Sequence, residues 1–320
     1  MGNPERPWGS AIRRLGNAEF GDVSMSQAAP VSESVWRRLA LTPSLGVFML
    51  LSLLPVANLI AMSMHQIRWE DGSATWEYIG AAHYVRLSAD TLFRKGVYNT
   101  LIFSVVGVSL QIVIGFFLAW AVSRIGRGRV VYRTIFILPI LVPGILIGAI
   151  WKLMLNYDFG LANSLIGVVG FLPVDWLGTA SLALPSVIMV DIWHWTPFCF
   201  LLLLAGFESL PQELHEAALV DGANAWTELR YVYLPIMMPV IAVTFLFRFM
   251  TSLKVFDEIY LLTGGGPGSS TEVVSYTIYR TFFTQDQMGY GSAMSVAVLF
   301  VIAILLVMGF GLSRYRKGTA

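Results

Sequence analysis

Long apolar stretches separated by short polar ones dominate the chain from residue 39 onward. Six of them, at 39–64, 97–123, 134–155, 182–205, 235–253 and 292–313, reach the about 20 mostly apolar residues that a helix needs to cross a bilayer core. Helix is the form expected of each, because lipid offers no partner to an open backbone N–H or C=O. The pattern therefore predicts an all-α fold, a polytopic membrane helix bundle of six transmembrane helices occupying residues 39–320. Pro55, Pro139, Pro143, Pro197 and Pro239 fall inside these stretches. Such breakers persist in membrane helices where neighbours re-satisfy the freed backbone groups. They predict a packed bundle with an irregular interior rather than a lone anchor. Composition agrees: 56% of residues are hydrophobic and only 13% charged, against about 25% charged in soluble domains.

The positions of Lys and Arg in the flanks give the orientation. Arg6, Arg13, Arg14, Arg37 and Arg38 precede the first stretch, Arg124, Arg127, Arg129 and Arg133 follow the second, and Arg314, Arg316 and Lys317 follow the sixth. The connection 156–180 has neither Lys nor Arg. Both termini and the second and fourth connections are thus expected in the cytoplasm. The first loop mixes Arg68, Arg86, Arg94 and Lys95 with Glu70, Asp71, Glu77 and Asp90, and alternation puts it outside. Residues 1–38 are rich in Gly, Ser, Ala and Pro and are expected to form a disordered cytoplasmic tail. They do not read as a signal peptide, since no apolar core follows the early arginines before the first span. Met25 is a second candidate translation start. Cys199, the single cysteine, excludes an intrachain disulfide and a cysteine-based metal site. No histidines stand at metal-ligand spacing, so no metal site is expected.

The connection between the fourth and fifth spans, about 207–234, is too long for a tight turn. Pro211 suits a helix start, Glu213 and Glu216 favour the positive end of the helix dipole, and Gly222 suits a left-handed C′ position. Leu214, Ala217, Ala218 and Val220 give a small apolar surface, and the two alanines leave room for another backbone. The segment reads either as a plain amphipathic linker or as a short surface helix shaped for a groove on a soluble partner.

Glu216-Ala217-Ala218, then Gly222, Val232 and Leu234-Pro235 at their spacing, resembles the EAA loop of binding-protein-dependent ABC importer permeases, with Val232 where Ile is usual. Trp193-His194-Trp195-Thr196-Pro197 before it, the run from Phe256 to Gly268 after it, Tyr276–Tyr279 and 289–293 are similar to the type I sugar permeases of that family. The resemblance implies a type I ABC importer transmembrane fold in a bacterial cytoplasmic (inner) membrane. Glu216, Ala217, Ala218, Asp221 and Gly222 would couple to an ATPase dimer. A second, different permease subunit and an external solute-binding protein would complete the assembly. ATP and Mg would bind the partner ATPase and no cofactor this chain; no Gly-x-x-x-x-Gly-Lys-Ser/Thr run is present, and Gly264–Gly268 lacks the lysine of a phosphate cradle. The chain would be a transporter subunit, not an enzyme, with no catalytic residues and no nucleic-acid partner.

Ionisable groups inside a membrane usually line a cavity or pair. Asp191, His194, Trp195 and Phe198 share one helix face, as do Arg248, Thr251, Ser252 and Val255. The resemblance places sugar contacts on these two helices, so the first four with Arg248, Thr251 and Ser252 form the expected solute path for an oligosaccharide, polyol or sugar acid. An Asp191–Arg248 structural ion pair is the competing reading. Lys254, Asp257 and Glu258, near the outer end of the fifth span, read as solvated interfacial charges, with a gate as the alternative. An ion-coupled secondary transporter, using Asp191 and His194 as a proton relay, is the alternative function; it gives no reason for the EAA pattern.

Overall fold

The computed structural model describes residues 33–70 and 72–317. These fall into two units, one through Ala57 and one from Asn58. Helix α1 (Glu33–Ser63) supplies the described part of the first and opens the second. It begins at Glu33, within the stretch expected as a tail; residues 1–32 lie outside the described residues. Its Leu45, Phe48, Leu51 and Leu54 are exposed.

The second unit is organised by the crossing of α3 (Thr91–Ser123) and α7 (Ala180–Glu208). Lipid tails are as apolar as leucine, so membrane helices are held by close packing and polar contacts rather than by water exclusion. Small residues make that packing possible here. A Cβ on Gly115 of α3 would lie 2.9 Å from the Phe200 amide nitrogen and 3.1 Å from Cys199 Cβ. Val108, Ile112, Phe116, Leu203 and Phe207 fill the space around the crossing, joined by Met237 of α10 (Leu234–Ser252).

The third apolar stretch is broken, which corrects the continuous helix expected over 134–155. Helix α4 (Arg129–Ile137) passes through a 3₁₀ turn (Leu138–Leu141) into α5 (Gly144–Met154), and the axis bends by 91°. Val142 holds φ −84° and ψ 126°, the extended form imposed on a residue that precedes proline, here Pro143. After the bend, α5 packs on α11 (Asp257–Leu262) through Gly144 and Gly148. A Cβ on Gly148 would come within 2.7 Å of Leu261 Cβ.

The first loop contains a small antiparallel hairpin that the all-α expectation did not foresee. Strand β1 (His65–Glu70) pairs with β2 (Ser73–Tyr78), His65 opposite Tyr78 and Glu70 opposite Ser73, and Gly72 turns at φ 79°. After α2 (Ala82–Ala89), Asp90 caps α3 by accepting from the Leu92 and Phe93 amides at 2.8 and 2.9 Å. It also accepts from the Tyr290 hydroxyl of α13 (Met288–Lys317) at 2.6 Å. Burial alone would raise its pKa, but these hydrogen bonds outweigh it and hold the carboxyl below its ordinary range.

Among the described residues four helical segments are long and apolar enough to cross a membrane: Leu41–Ser63, Thr91–Ser123, Ala180–Glu208 and Ala225–Ser252. The bent pair is a fifth if taken as one span; the apolar part of α13, Met288–Ile304, is shorter. The crossing of α3 and α7 yields a test. Gly115→Val is expected to destabilise the detergent-purified protein by about 1–3 kcal/mol through overpacking. Gly126→Ala, at a site where an added Cβ meets nothing within 4 Å, is expected to leave the melting temperature unchanged. Equal melting of the two variants in a thermal shift assay would contradict the packing.

Candidate functional site

A cavity of about 250 Å³ opens between α7, α10 and the turn that follows α10. Asp191, His194 and Trp195 line it from α7, and Arg248, Thr251 and Ser252 from α10. Lys254, Phe256, Asp257 and Glu258 close one side, with Gly144 at the bend before α5. Two sequence stretches far apart in the chain thus supply six of the seven expected path residues. Phe198 does not join them: it shares the helix face but stacks on Phe247, ring centroids 5.2 Å apart.

The cavity is built on two buried charge pairs. One guanidinium nitrogen of Arg248 donates to both Asp191 carboxylate oxygens at 2.7 Å, and each side chain is 2% exposed. The amide of Gln111 on α3 donates to the same carboxylate at 2.7 Å and to the Asp191 carbonyl at 3.1 Å. Arg248 also reaches the Thr251 hydroxyl at 3.2 Å and lies over the Trp195 ring, 4.7 Å from its centroid. A structural ion pair between Asp191 and Arg248 therefore forms part of the cavity wall. The second pair is His194 with Glu258, Nδ1 to Oε1 at 3.3 Å. The other ring nitrogen sits 3.2 Å from the carbonyl of Val142, whose oxygen the break at Pro143 has freed from helical bonding. A carbonyl only accepts, so this contact is a hydrogen bond in the tautomer that carries a hydrogen on Nε2.

Glu258 corrects the sequence reading. It is 6% exposed, not a solvated interfacial charge, because the chain turns after Ser252 and α11 folds back against α5. Its partner across the fold could not be read from spacing. Gln111 was also missed, although a polar residue in the middle of an apolar stretch was the available signal. Lys254 and Asp257 are exposed as expected.

At the other end of α7 lies the segment expected to couple to a partner. Helix α8 (Gln212–Val220) starts after Pro211 and stops with Asp221 as C-cap and Gly222 at φ 75°. The Gly222 amide donates to the Leu219 carbonyl at 3.0 Å and the Ala223 amide to the Ala218 carbonyl at 2.9 Å, the paired bonds of a Schellman stop. Glu213, Glu216, Ala217, Asp221 and Gly222 are exposed, as are Leu219 and Val220; Ala218 is buried against the body. Sequence reasoning passed over the residue that ties α8 down. Glu228 closes α9 (Ala225–Glu228) and is 3% exposed. It pairs with Arg124, the C-cap of α3, and with the His215 ring of α8 at 2.5 Å. A π-helical turn (Leu229–Tyr233) then leads into α10. A groove of about 650 Å³ runs beside α8, lined by Arg124, Arg129, Glu208, His215, Glu216 and Tyr233 among others.

The buried pair can be tested directly. Arg248→Met leaves Asp191 buried and uncompensated, which is expected to cost about 3–5 kcal/mol. Adding Asp191→Asn to that variant is expected to recover most of the loss. Additive losses in detergent melting of the single and double variants would show that the two side chains do not interact.

Comparison with known proteins agrees with this architecture. Residues 111–315 match the family described as binding-protein-dependent transport system inner membrane component. The trehalose/maltose transport system permease protein MalF of Thermococcus litoralis is 35% identical over 298 residues, spanning 92% of this chain and 99% of its own. The multiple sugar-binding transport system permease protein MsmF of Streptococcus mutans is 31% identical over 246 residues, 77% and 84% of the two chains. Among solved structures, a chain of a bacterial ABC transporter involved in import of the acidic polysaccharide alginate has a similar fold. Its TM-score is 0.76 at 24% identity, over 88% of this chain and 97% of that one. This protein is a multi-pass membrane permease that belongs to the family of binding-protein-dependent transport system inner membrane components.

Proposed function

We propose that the chain is one of two different permease subunits of an ATP-driven carbohydrate importer in a bacterial cytoplasmic membrane. It takes solute from an external binding protein and is moved by an ATPase dimer that docks on α8. One observation carries this reading: the short exposed helix α8 joins the two helices that line the polar cavity. Helix α7 runs from Asp191 to Glu208 and into α8, and the chain continues through α9 into α10 with Arg248. A displacement of α8 is therefore transmitted to both walls of the cavity. Glu228 stiffens the connection, because its bonds to His215 and Arg124 bind α8 to the start of the α10 segment and the end of α3.

The carbohydrate assignment rests on the cavity chemistry and on the relatives. Trp195 and Phe256 offer aromatic surface and Thr251 and Ser252 offer hydroxyls, groups suited to sugar rings and their hydroxyls. The relatives named above transport trehalose or maltose and multiple sugars, and the alginate transporter has been crystallised with an oligosaccharide-bound periplasmic protein. ATP and Mg would be held by the ATPase subunits. Ion-coupled transport is disfavoured, since Asp191 and His194 are each committed to a buried partner rather than arranged as a relay.

Gly222→Val places a β-branched residue at φ 75°, at a conformational cost of about 1–2 kcal/mol, and deforms the end of α8. Uptake by proteoliposomes holding the permease pair, the ATPases and the binding protein is expected to fall by roughly tenfold, a loss of order 1.4 kcal/mol in coupling, while permease assembly persists. Normal uptake by this variant would contradict the docking role. Uptake by the permeases alone, driven by an ion gradient, would refute the importer.

A further inference from the structure

Within the carbohydrate reading, on which this inference rests, the charges of the cavity specify the kind of sugar. Arg248 is closed by Asp191 at 2.7 Å and His194 by Glu258 at 3.3 Å. The first is a cation with a carboxylate. The second sets the Glu258 carboxyl against the imidazole of His194, whose other nitrogen faces the Val142 carbonyl. At the mouth, exposed Lys254 and exposed Asp257 add one charge of each sign to the lining. The lining thus sets two cations, Arg248 and Lys254, against three carboxyls, Asp191, Asp257 and Glu258, with the His194 ring beside them, and no excess positive charge is left for an anionic solute.

The polar groups that remain are of another kind. Arg248 Nε and Ser252 Oγ are buried without a hydrogen-bond partner, and both residues line the cavity. Buried polar atoms in a folded protein are normally partnered. A sugar hydroxyl donates and accepts at once, so it suits either the guanidinium N–H or the serine hydroxyl. A carboxylate could serve the donors but would meet Asp191, Asp257 and Glu258 within the same 250 Å³, more acidic groups than Arg248 and Lys254 offset.

We propose that the cavity takes neutral saccharides through their hydroxyls and rejects sugar acids. The protein would differ in this from the structurally similar importer of the acidic polysaccharide alginate. The discrimination lies in the balance of charges on the lining and not in a basic surface.

The test uses the whole assembly, permease pair with ATPases, purified in detergent without the binding protein. Binding of neutral di- and trisaccharides (maltose, trehalose, maltotriose, raffinose) and of uronic ones of equal length (digalacturonate, trigalacturonate) is followed by tryptophan fluorescence and calorimetry. At least one neutral sugar is expected to bind at least about tenfold tighter than either uronate. Asp257→Asn removes a carboxylate from the exposed mouth without entering the buried pairs, and is expected to narrow that ratio several-fold, the gain in uronate binding vanishing at high salt. Asp191→Asn frees Arg248 and is expected to narrow it further; if it fails to fold, Asp257→Asn alone decides. Uronates binding as tightly as neutral sugars to the unaltered protein would overturn the proposal and leave the carbohydrate reading standing. So would a ratio unmoved by Asp257→Asn. Binding of neither class would remove the carbohydrate reading and the proposal with it.

Discussion

An ion pair buried among apolar helices holds the site together. Asp191 and Arg248 lie on α7 and α10, and Gln111 brings in α3. Taking two charges out of water costs several kcal/mol each, and their attraction offsets this only where geometry is good and spare hydrogen-bonding capacity is met. Here the carboxylate accepts from both the guanidinium and the Gln111 amide, and Gly107 leaves space beside it: a Cβ there would sit 3.4 Å from Asp191 Oδ2. In lipid, where burial of apolar surface does not drive helices together, such a node specifies which helices meet and in what register. Arg248 Nε and Ser252 Oγ remain without partners beside this node, and both residues line the cavity.

A second network of similar design lies at the far end of α7. Buried Glu228 gathers Arg124 and His215, so α3, α8 and the segment entering α10 meet at one carboxylate. The two nodes share α3 and are connected through α7 and α10. Rigid helices between two polar anchors carry displacement better than loops do. In the proposed importer this makes α8 a lever whose short arm faces the ATPase and whose long arms are the cavity walls.

Much of this was legible in the sequence because the signals were local. The stop of α8 needed only Gly222 and its position after Asp221, and the structure gives the left-handed glycine with both Schellman bonds. The convergence of Asp191, His194 and Trp195 with Arg248, Thr251 and Ser252 followed from charges that an apolar helix does not carry without reason. What escaped depended on long-range geometry. Pro143 was visible as a breaker, but the 91° bend depends on α5 finding α11 through Gly144 and Gly148. Glu258 follows the exposed Lys254 and Asp257 in sequence, and only the fold-back of α11 delivers it to His194. Phe198 has the right helical phase, yet Phe247 lies closer than the cavity. The hairpin at 65–78 is too short and too exposed for alternation to stand out against charged surroundings.

The central claim is that motion of α8 is felt at the cavity. It is tested most directly by the distance between spin labels on Val220 and Lys254, both exposed, in a Cys199→Ala background within the complete assembly. On addition of ATP with vanadate, the distance distribution measured by pulsed electron resonance is expected to shift, and the shift is expected to disappear when Glu228 is replaced by Ala. A distribution that ATP leaves unchanged in the labelled protein with Glu228 intact would contradict the account.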